Sequence, residues 1–162
     1  MDSLWRAAYV AIGSNLNDPR ERVLEALTRL SQIPRVHSVL ASRLYRSRPM
    51  GPQDQPQFVN AAAGFVTQLT ARELLGALLD IEQRMGRQRG ERWGPRIIDL
   101  DLIWMLDSRT EEPGLSLPHP GVSSRNFVLY PLADIAPTLD IPGSGEVRNL
   151  KSAAGDAGIW VM

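Results

Sequence analysis

The chain has no cysteine. Disulfides, thiolate zinc sites and cysteine nucleophiles are therefore excluded. Histidine occurs only at His37 and His119, too few for a three-histidine zinc centre. Lysine occurs only at Lys151, near the C-terminus, and no GxxxxGKS/T run is present, so a P-loop enzyme is excluded. No stretch is long and apolar enough to span a bilayer, and no signal peptide precedes the first expected strand. A cytoplasmic protein without a membrane partner is expected. Neither sign of charge is in excess: Lys+Arg and Asp+Glu both number 18, a formal net charge of +0. Bulk electrostatics gives no reason to expect nucleic acid as a partner.

What is present is an ordinary globular composition, 43% hydrophobic with 12 prolines over 162 residues. One domain spanning residues 1–162 is expected, large enough for a real core. "RAAYVAIGSN" reads as a first strand that stops at Gly13. In "NDPRERVLEALTRLSQI", Asp18 is placed to cap a helix, Pro19 suits its first position, and Glu21 can close a capping box. Val23, Leu27 and Leu30 share one face of that helix. "VHSVLASRLYRS" reads as a second strand, and "RPMGPQDQPQ" as a loop, because its prolines and glycine break regular structure. "FVNAAAGFVTQL" is a third strand, with Gly64 at a bulge or a close approach.

"TARELLGALLDIEQRMG" repeats the capping-box pattern with Thr70 and Glu73. It carries Leu74, Leu78, Ile81 and Met85 on one face and stops at Gly86. The arginine-rich loop "RQRGERWGP" and the strand "IIDLDLIWM" follow. The order βαββαβ is the ferredoxin-like one, an α/β (α+β) fold. "RNFVLYPLADI" reads as partly helical within a C-terminal extension whose Pro/Gly-rich tail has no clear pattern.

The chemistry concentrates in "RWGPRIIDLDLIW". Side chains alternate along a strand, so Asp99 and Asp101 point to one face and Leu100 and Leu102 to the other. Two close carboxylates repel, and burial raises their pKa values unless cations compensate. A solvated edge strand would also tolerate the pair. Next to an arginine-rich loop, hard oxygen ligands without His or Cys favour Mg²⁺, which takes one or two carboxylates plus substrate phosphates.

Arg84, Arg87, Arg89, Arg92 and Arg96 precede the two aspartates, and guanidinium forks match phosphate oxygens. Arg84, inside the second helix, reads equally as a solvated surface charge. Arg92 and Arg96 flank the rigid Trp93-Gly94-Pro95 and are the better phosphate candidates. Together, acid pair and basic loop read as a Mg²⁺-nucleotide site. His119, between two prolines, reads equally as structural or as a nucleotide contact. Phe58, Trp93 and Phe127 are candidates to stack on a planar ring, or simply core. Asn60, on the same strand face as Phe58, could read the edge of a heterocycle.

"AIGSNL", "GPQDQPQFVNAA", "RWGPRIIDLDLIW" and "LPHPGVSSRNFVLYPL" resemble the motifs of the 6-hydroxymethyl-7,8-dihydropterin pyrophosphokinase family, in the same order over roughly residues 8–140. The resemblance implies transfer of a diphosphate from ATP to the pterin hydroxymethyl group, with release of AMP, in folate biosynthesis. It implies that Asp99 and Asp101 bind two Mg²⁺ ions. Arg87, Arg96 and Arg125 would contact phosphates or help to close the loops, and the nucleotide set would also take in Arg89, Arg92 and His119. Phe58 and Phe127 would sandwich the pterin, Asn60 would hydrogen-bond it, and Trp93 would come in with its loop. Phe58 stands where the family often has tyrosine, and Pro120 where a tyrosine can occur. A monomer acting on small molecules is expected. The alternative is a non-catalytic ferredoxin-like module for a small ligand, which would need neither the D-x-D pair nor the arginine loop, or for RNA, which would need RNP-type aromatics on the central strands and a basic face.

Overall fold

The computed structural model describes residues 4–87 and 94–162. In chain order the elements are β1 (Arg6–Ser14), α1 (Pro19–Ser31), β2 (Val36–Ala41), β3 (Tyr45–Ser47), β4 (Phe58–Thr67), α2 (Ala71–Arg84) and β5 (Asp99–Met105). They are followed by β6 (Thr110–Glu112), β7 (Leu115–Leu117), α3 (Asn126–Ile135), β8 (Asp140–Ile141), β9 (Gly145–Glu146), α4 (Val147–Ala154) and β10 (Ile159–Val161).

The main sheet runs β10-β3-β4-β1-β5, with β2 also pairing β4, and every pair is antiparallel. β3 takes the Phe58 end of β4 and β2 takes the Thr67 end. Counted as one strand position, they complete the expected ferredoxin-like order. The single second strand foreseen from sequence is thus two. Ser42 makes the break: its N–H and hydroxyl both engage the backbone of Ala62 between the two pairings. Ser38, with φ 60, adds a register shift within β2.

Along β1 the burial pattern alternates. Ala8, Val10 and Ile12 are buried in a core shared with Leu100 and Leu102 of β5, Val23 and Leu30 of α1, and Leu74, Leu78 and Ile81 of α2. The opposite face of β1 carries Tyr9, Ala11 and Gly13. There α3 covers part of the sheet, and Gly64 is the close approach: a Cβ on it would lie 3.2 Å from the Tyr9 ring and 3.4 Å from Ile135.

The Thr70–Glu73 capping box forms as expected, and Gly86 ends the helix region with φ 90. The Asp18 cap does not form. Asn17 and Asp18 both adopt positive φ, Asp18 makes no side-chain cap bond, and Glu21 pairs instead with Arg20. α3 runs as a ten-residue helix through Pro131, because its apolar residues Val128, Leu129 and Leu132 are buried. The patternless tail forms α4 and then β10, which adds an edge strand beside β3.

Candidate active site

The pairing registers build the site. Gly13 of β1 lies opposite Asn60 of β4 on one side and Asp99 of β5 on the other. One row further on, Ala11 lies between Ala62 and Asp101. The central strand therefore contributes almost no side-chain bulk between an amide and two carboxylates, and a cavity of about 150 Å³ opens over it. Its walls include Phe58, Asn60, Arg96, Asp99, Asp101, Arg125 and Phe127. Seven residues singled out from sequence, spread over about 70 positions of chain, thus converge on one pocket. A larger cavity of about 680 Å³ adjoins it across Arg48, Met50, Arg125 and Phe127.

Negative charge is crowded here. Burial first, then the neighbouring Asp99 and Glu82, push the Asp101 carboxyl up to about 7, against the pull of Arg125 and Arg87. Glu82 is 3% exposed. Its pKa is raised by burial, although it accepts the Leu100 N–H at 2.7 Å and is paired with Arg87 at 2.6 Å. Arg87 also reaches Asp99 at 3.2 Å and so bridges α2 to the start of β5. Arg84 is exposed and pairs with Asp80 one turn earlier, the surface reading of the two open to it.

The His119 N–H donates to the Ile103 carbonyl at 2.8 Å, which docks the LPHPG segment on β5. Its Nδ1 accepts the Gly121 N–H at 3.0 Å, so Nε2 is the nitrogen that carries the proton in the neutral ring. Burial, then the positive charge of Arg125, lowers its pKa, opposed by Asp99. Arg89, Arg92 and Trp93 lie outside the described residues.

Sequence reasoning missed several members. Asn15 is 1% exposed and donates to Gln55 and Pro56 at 3.0 and 2.9 Å, while its Oδ1 accepts the Arg96 N–H at 2.7 Å. One amide thus ties the proline-rich loop to the segment carrying Arg96. Its signal was an asparagine at the end of a strand inside "AIGSNL", where a buried amide must find partners. Glu82, between Ile81 and Met85, gave no sign of its role until α2 placed it beside Leu100 and Arg87. Ser47, Arg48 and Met50 carried no signal, because only tertiary pairing brings β3 beside Asn60.

Two carboxylates on one strand face form a pair of oxygen donors. Among the described residues no group of three metal-binding side chains occurs. The remaining coordination positions of a cation here would fall to phosphate and water, which suits Mg²⁺. Burial and, after it, the negative charge of Asp99 and Glu82 raise the Asp101 pKa, and such a cation would neutralise that charge.

Comparison with known proteins decides the assignment. Residues 9–137 match the 7,8-dihydro-6-hydroxymethylpterin-pyrophosphokinase (HPPK) family. The chain belongs to that family. It is 45% identical over 151 residues to the 2-amino-4-hydroxy-6-hydroxymethyldihydropteridine pyrophosphokinase of Pseudomonas aeruginosa, covering 93% of each chain. It is 41% identical over 128 residues to the Bacillus subtilis protein of that name, covering 79% of this chain and 77% of the other. Among solved structures, wild-type Plasmodium falciparum HPPK-DHPS with SDX-DHP superposes with a TM-score of 0.72 at 14% identity. That match covers 93% of this chain and 44% of the longer one, and it speaks for the fold. The ferredoxin-like fold and the pyrophosphokinase activity of folate biosynthesis expected from sequence hold for this chain, and the non-catalytic alternative is not favoured. No helix among the described residues is long and apolar enough to cross a membrane.

Proposed function

We propose that the pocket over Gly13 is where this pyrophosphokinase transfers a diphosphate from ATP to 6-hydroxymethyl-7,8-dihydropterin and releases AMP. The observation that carries the reading is the row Asn60–Gly13–Asp99. It sets a heterocycle-reading amide and a metal-type carboxylate on one face, one strand apart on either side of a glycine.

In this reading the pterin ring lies between Phe58 and Phe127 with its polar edge at Asn60. Its hydroxymethyl group then points along the sheet toward Asp99 and Asp101. The two aspartates would hold two Mg²⁺ ions; bound there, they would neutralise triphosphate charge and polarise the β-phosphorus. Arg96 and Arg125, on the pocket wall, take non-bridging phosphate oxygens in fork geometry. Arg87 is held by Glu82 beside Asp99 and supplies positive charge without leaving its ion pair. Neutral His119 donates from Nε2 to a nucleotide oxygen or ring nitrogen. Arg89, Arg92 and Trp93 are assigned by resemblance to the nucleotide and to the closing of the pterin pocket.

The hydroxymethyl oxygen attacks the β-phosphorus in line. The bond to the α-phosphate oxygen breaks and AMP leaves. Because the transition state is loose, positioning and charge stabilisation do most of the work, and little is asked of a general base. The reading takes the whole chain as one domain, monomeric and cytoplasmic, acting on small molecules and not on nucleic acid. The shared sheet from β1 to β10 supports the single domain, and the net charge of +0 supports small molecules over nucleic acid.

Product analysis tests it. With ATP, Mg²⁺ and the hydroxymethyl dihydropterin, mass spectrometry should find the pterin heavier by a diphosphate and one AMP per product. ADP and a monophosphorylated pterin, or no pterin product, would overturn the reading.

A further inference from the structure

Arg125 occupies the N-cap position of α3 and makes no side-chain capping bond, yet the first turn of this helix carries Phe127 into the cavity wall. That turn is held from outside. Asn126 donates from Nδ2 to the carbonyls of Gly155 and Ala157, at 3.0 and 2.9 Å. The Asp156 carbonyl between them accepts the Ile159 N–H at 3.4 Å, and the Gly158 carbonyl accepts the Arg48 N–H at 3.0 Å. Four consecutive carbonyls are thus engaged. The turn that presents them passes through Gly155 and Gly158 at φ 75 and φ 72, where glycine is the residue without a steric cost. The chain then enters β10, where Ile159 lies opposite Ser47, and Ser47 in turn lies opposite Phe58 of β4. The Arg48 guanidinium, 5.7 Å from the centroid of the Trp160 ring, closes the same junction. Residues 155–161 therefore strap the start of α3 to β3. Phe127 and Phe58, the two aromatic walls of the cavity, stand on either side of this strap.

We propose that Asn126 is a positioning residue for Phe127: by fastening the first turn of α3 to the Gly155–Gly158 turn, it sets the width of the slot between Phe127 and Phe58. This rests on the pterin reading above and adds a residue outside both the stacking pair and the phosphate-binding set. Dispersion contacts fall off within a fraction of an ångström, so a wall that wanders loses its hold on a flat ring. Arg125, one residue away, is seated by a different device. Its N–H donates to the Gly121 carbonyl at 3.3 Å, and its side chain lies over Gly121, where a Cβ would come within 2.5 Å of Nε. Freeing Asn126 therefore costs dihydropterin binding and spares the phosphate contacts of Arg125.

The test compares the native chain with Asn126→Ala, Asn126→Asp, Phe127→Ala and the Asn126→Ala/Phe127→Ala double variant. Steady-state rates are measured against the hydroxymethyl dihydropterin and against Mg²⁺-ATP. Asn126→Ala should raise the KM for dihydropterin roughly fivefold, the scale of one lost hydrogen bond. Its kcat and its KM for nucleotide should stay within about twofold of native. Asn126→Asp keeps the shape but sets a carboxylate against carbonyl oxygens, so it should be at least as weak. In the Phe127→Ala background, Asn126→Ala should have no further effect, because it acts through that ring. The chain has three phenylalanines, so labelling with 4-fluorophenylalanine gives three fluorine resonances to follow. Asn126→Ala should shift or broaden the Phe127 resonance and leave that of buried Phe65 in place. A native KM for dihydropterin in Asn126→Ala, equal rises for both substrates, a full Asn126 effect in the Phe127→Ala background, or an unchanged Phe127 resonance would each overturn the inference and leave the pterin reading standing. A native KM for dihydropterin in Phe127→Ala would overturn both.

Discussion

The two faces of β1 and β5 are made from the same seven- to nine-residue stretches, yet they do opposite things. On one face Val10, Ile12, Leu100 and Leu102 are almost fully buried beneath α1 and α2. On the other, Ala11, Gly13, Asp99 and Asp101 stay half-open around a cavity, and acidic charge is concentrated instead of avoided. Strand alternation lets stability and chemistry interleave residue by residue without competing. The apolar face holds the strands in register, and the register puts the carboxylates opposite the amide. The cost appears as perturbed protonation: Asp101 is pushed up to about 7 on the open face. In contrast, Asp134 beneath the Tyr45 end of the sheet is satisfied by Arg43 and Tyr45, at 3.0 and 2.9 Å.

Substitutions on the two faces should therefore fail differently. The largest effect is expected at the two carboxylates proposed to hold Mg²⁺: Asp99→Ala or Asp101→Ala should lower turnover by about 10³-fold or more, since in the proposed reading each removes a ligand of the cation that stabilises transferring charge. Melting temperature should not fall, as the strand keeps its apolar face. One position away, Leu100→Ala should cost roughly 2–5 kcal/mol of stability through the cavity it leaves, read as a lower denaturation midpoint. The folded fraction should still bind Mg²⁺-nucleotide. Asn60→Ala should weaken dihydropterin binding roughly 10- to 100-fold by calorimetry, with nucleotide affinity little changed.

A smaller effect separates Asp101 from Asp134 by pH. The folded pKa of Asp101 lies above its ordinary value of 3.8, so the native state holds a proton that the unfolded state has lost. Its contribution to stability is complete below about pH 4 and is lost as pH rises toward 7. Asp101→Asn should flatten stability between pH 4 and pH 7 in urea titrations, and Mg²⁺ should bind the native chain more weakly below pH 7. Asp134 has the opposite sign. Burial would raise its pKa, but the bonds from Arg43 and Tyr45 hold it low. Its contribution is therefore present above about pH 4 and lost on further acidification, and Asp134→Asn should remove that acid-side loss.

How far the sequence revealed these faces depended on whether the signal was local. Alternation in "IIDLDLIWM", the Thr70–Glu73 box and the stop at Gly86 involve residues a few positions apart, and each appeared as expected. Asp18 failed because the chain entering α1 turns through two left-handed residues, which no short pattern announces. β2 and β3 read as one strand because the break at Ser42 depends on a bond to Ala62, 20 residues away. Within the site, Asp99, Asp101, Phe58, Asn60 and Phe127 stood out by residue type in an unusual setting. Ser47 and Glu82 are ordinary residues until β3 and α2 place them beside Asn60 and Arg87, and the Asn15 clamp likewise exists only once two distant loops meet.

The central claim is that the open face performs diphosphate transfer while the buried face only holds the fold. AMP formation measured against Mg²⁺ concentration, with ATP and the hydroxymethyl dihydropterin, tests it most directly when run on native chain and the Asp99→Ala/Asp101→Ala double variant with parallel thermal melts. The account predicts AMP from the native chain only when both Mg²⁺ and the dihydropterin are present. It predicts almost none from the double variant at any Mg²⁺ concentration, and a melting temperature for the variant at or above the native one. AMP released at the native rate by the variant, or a variant inactive only because it has unfolded, would contradict it.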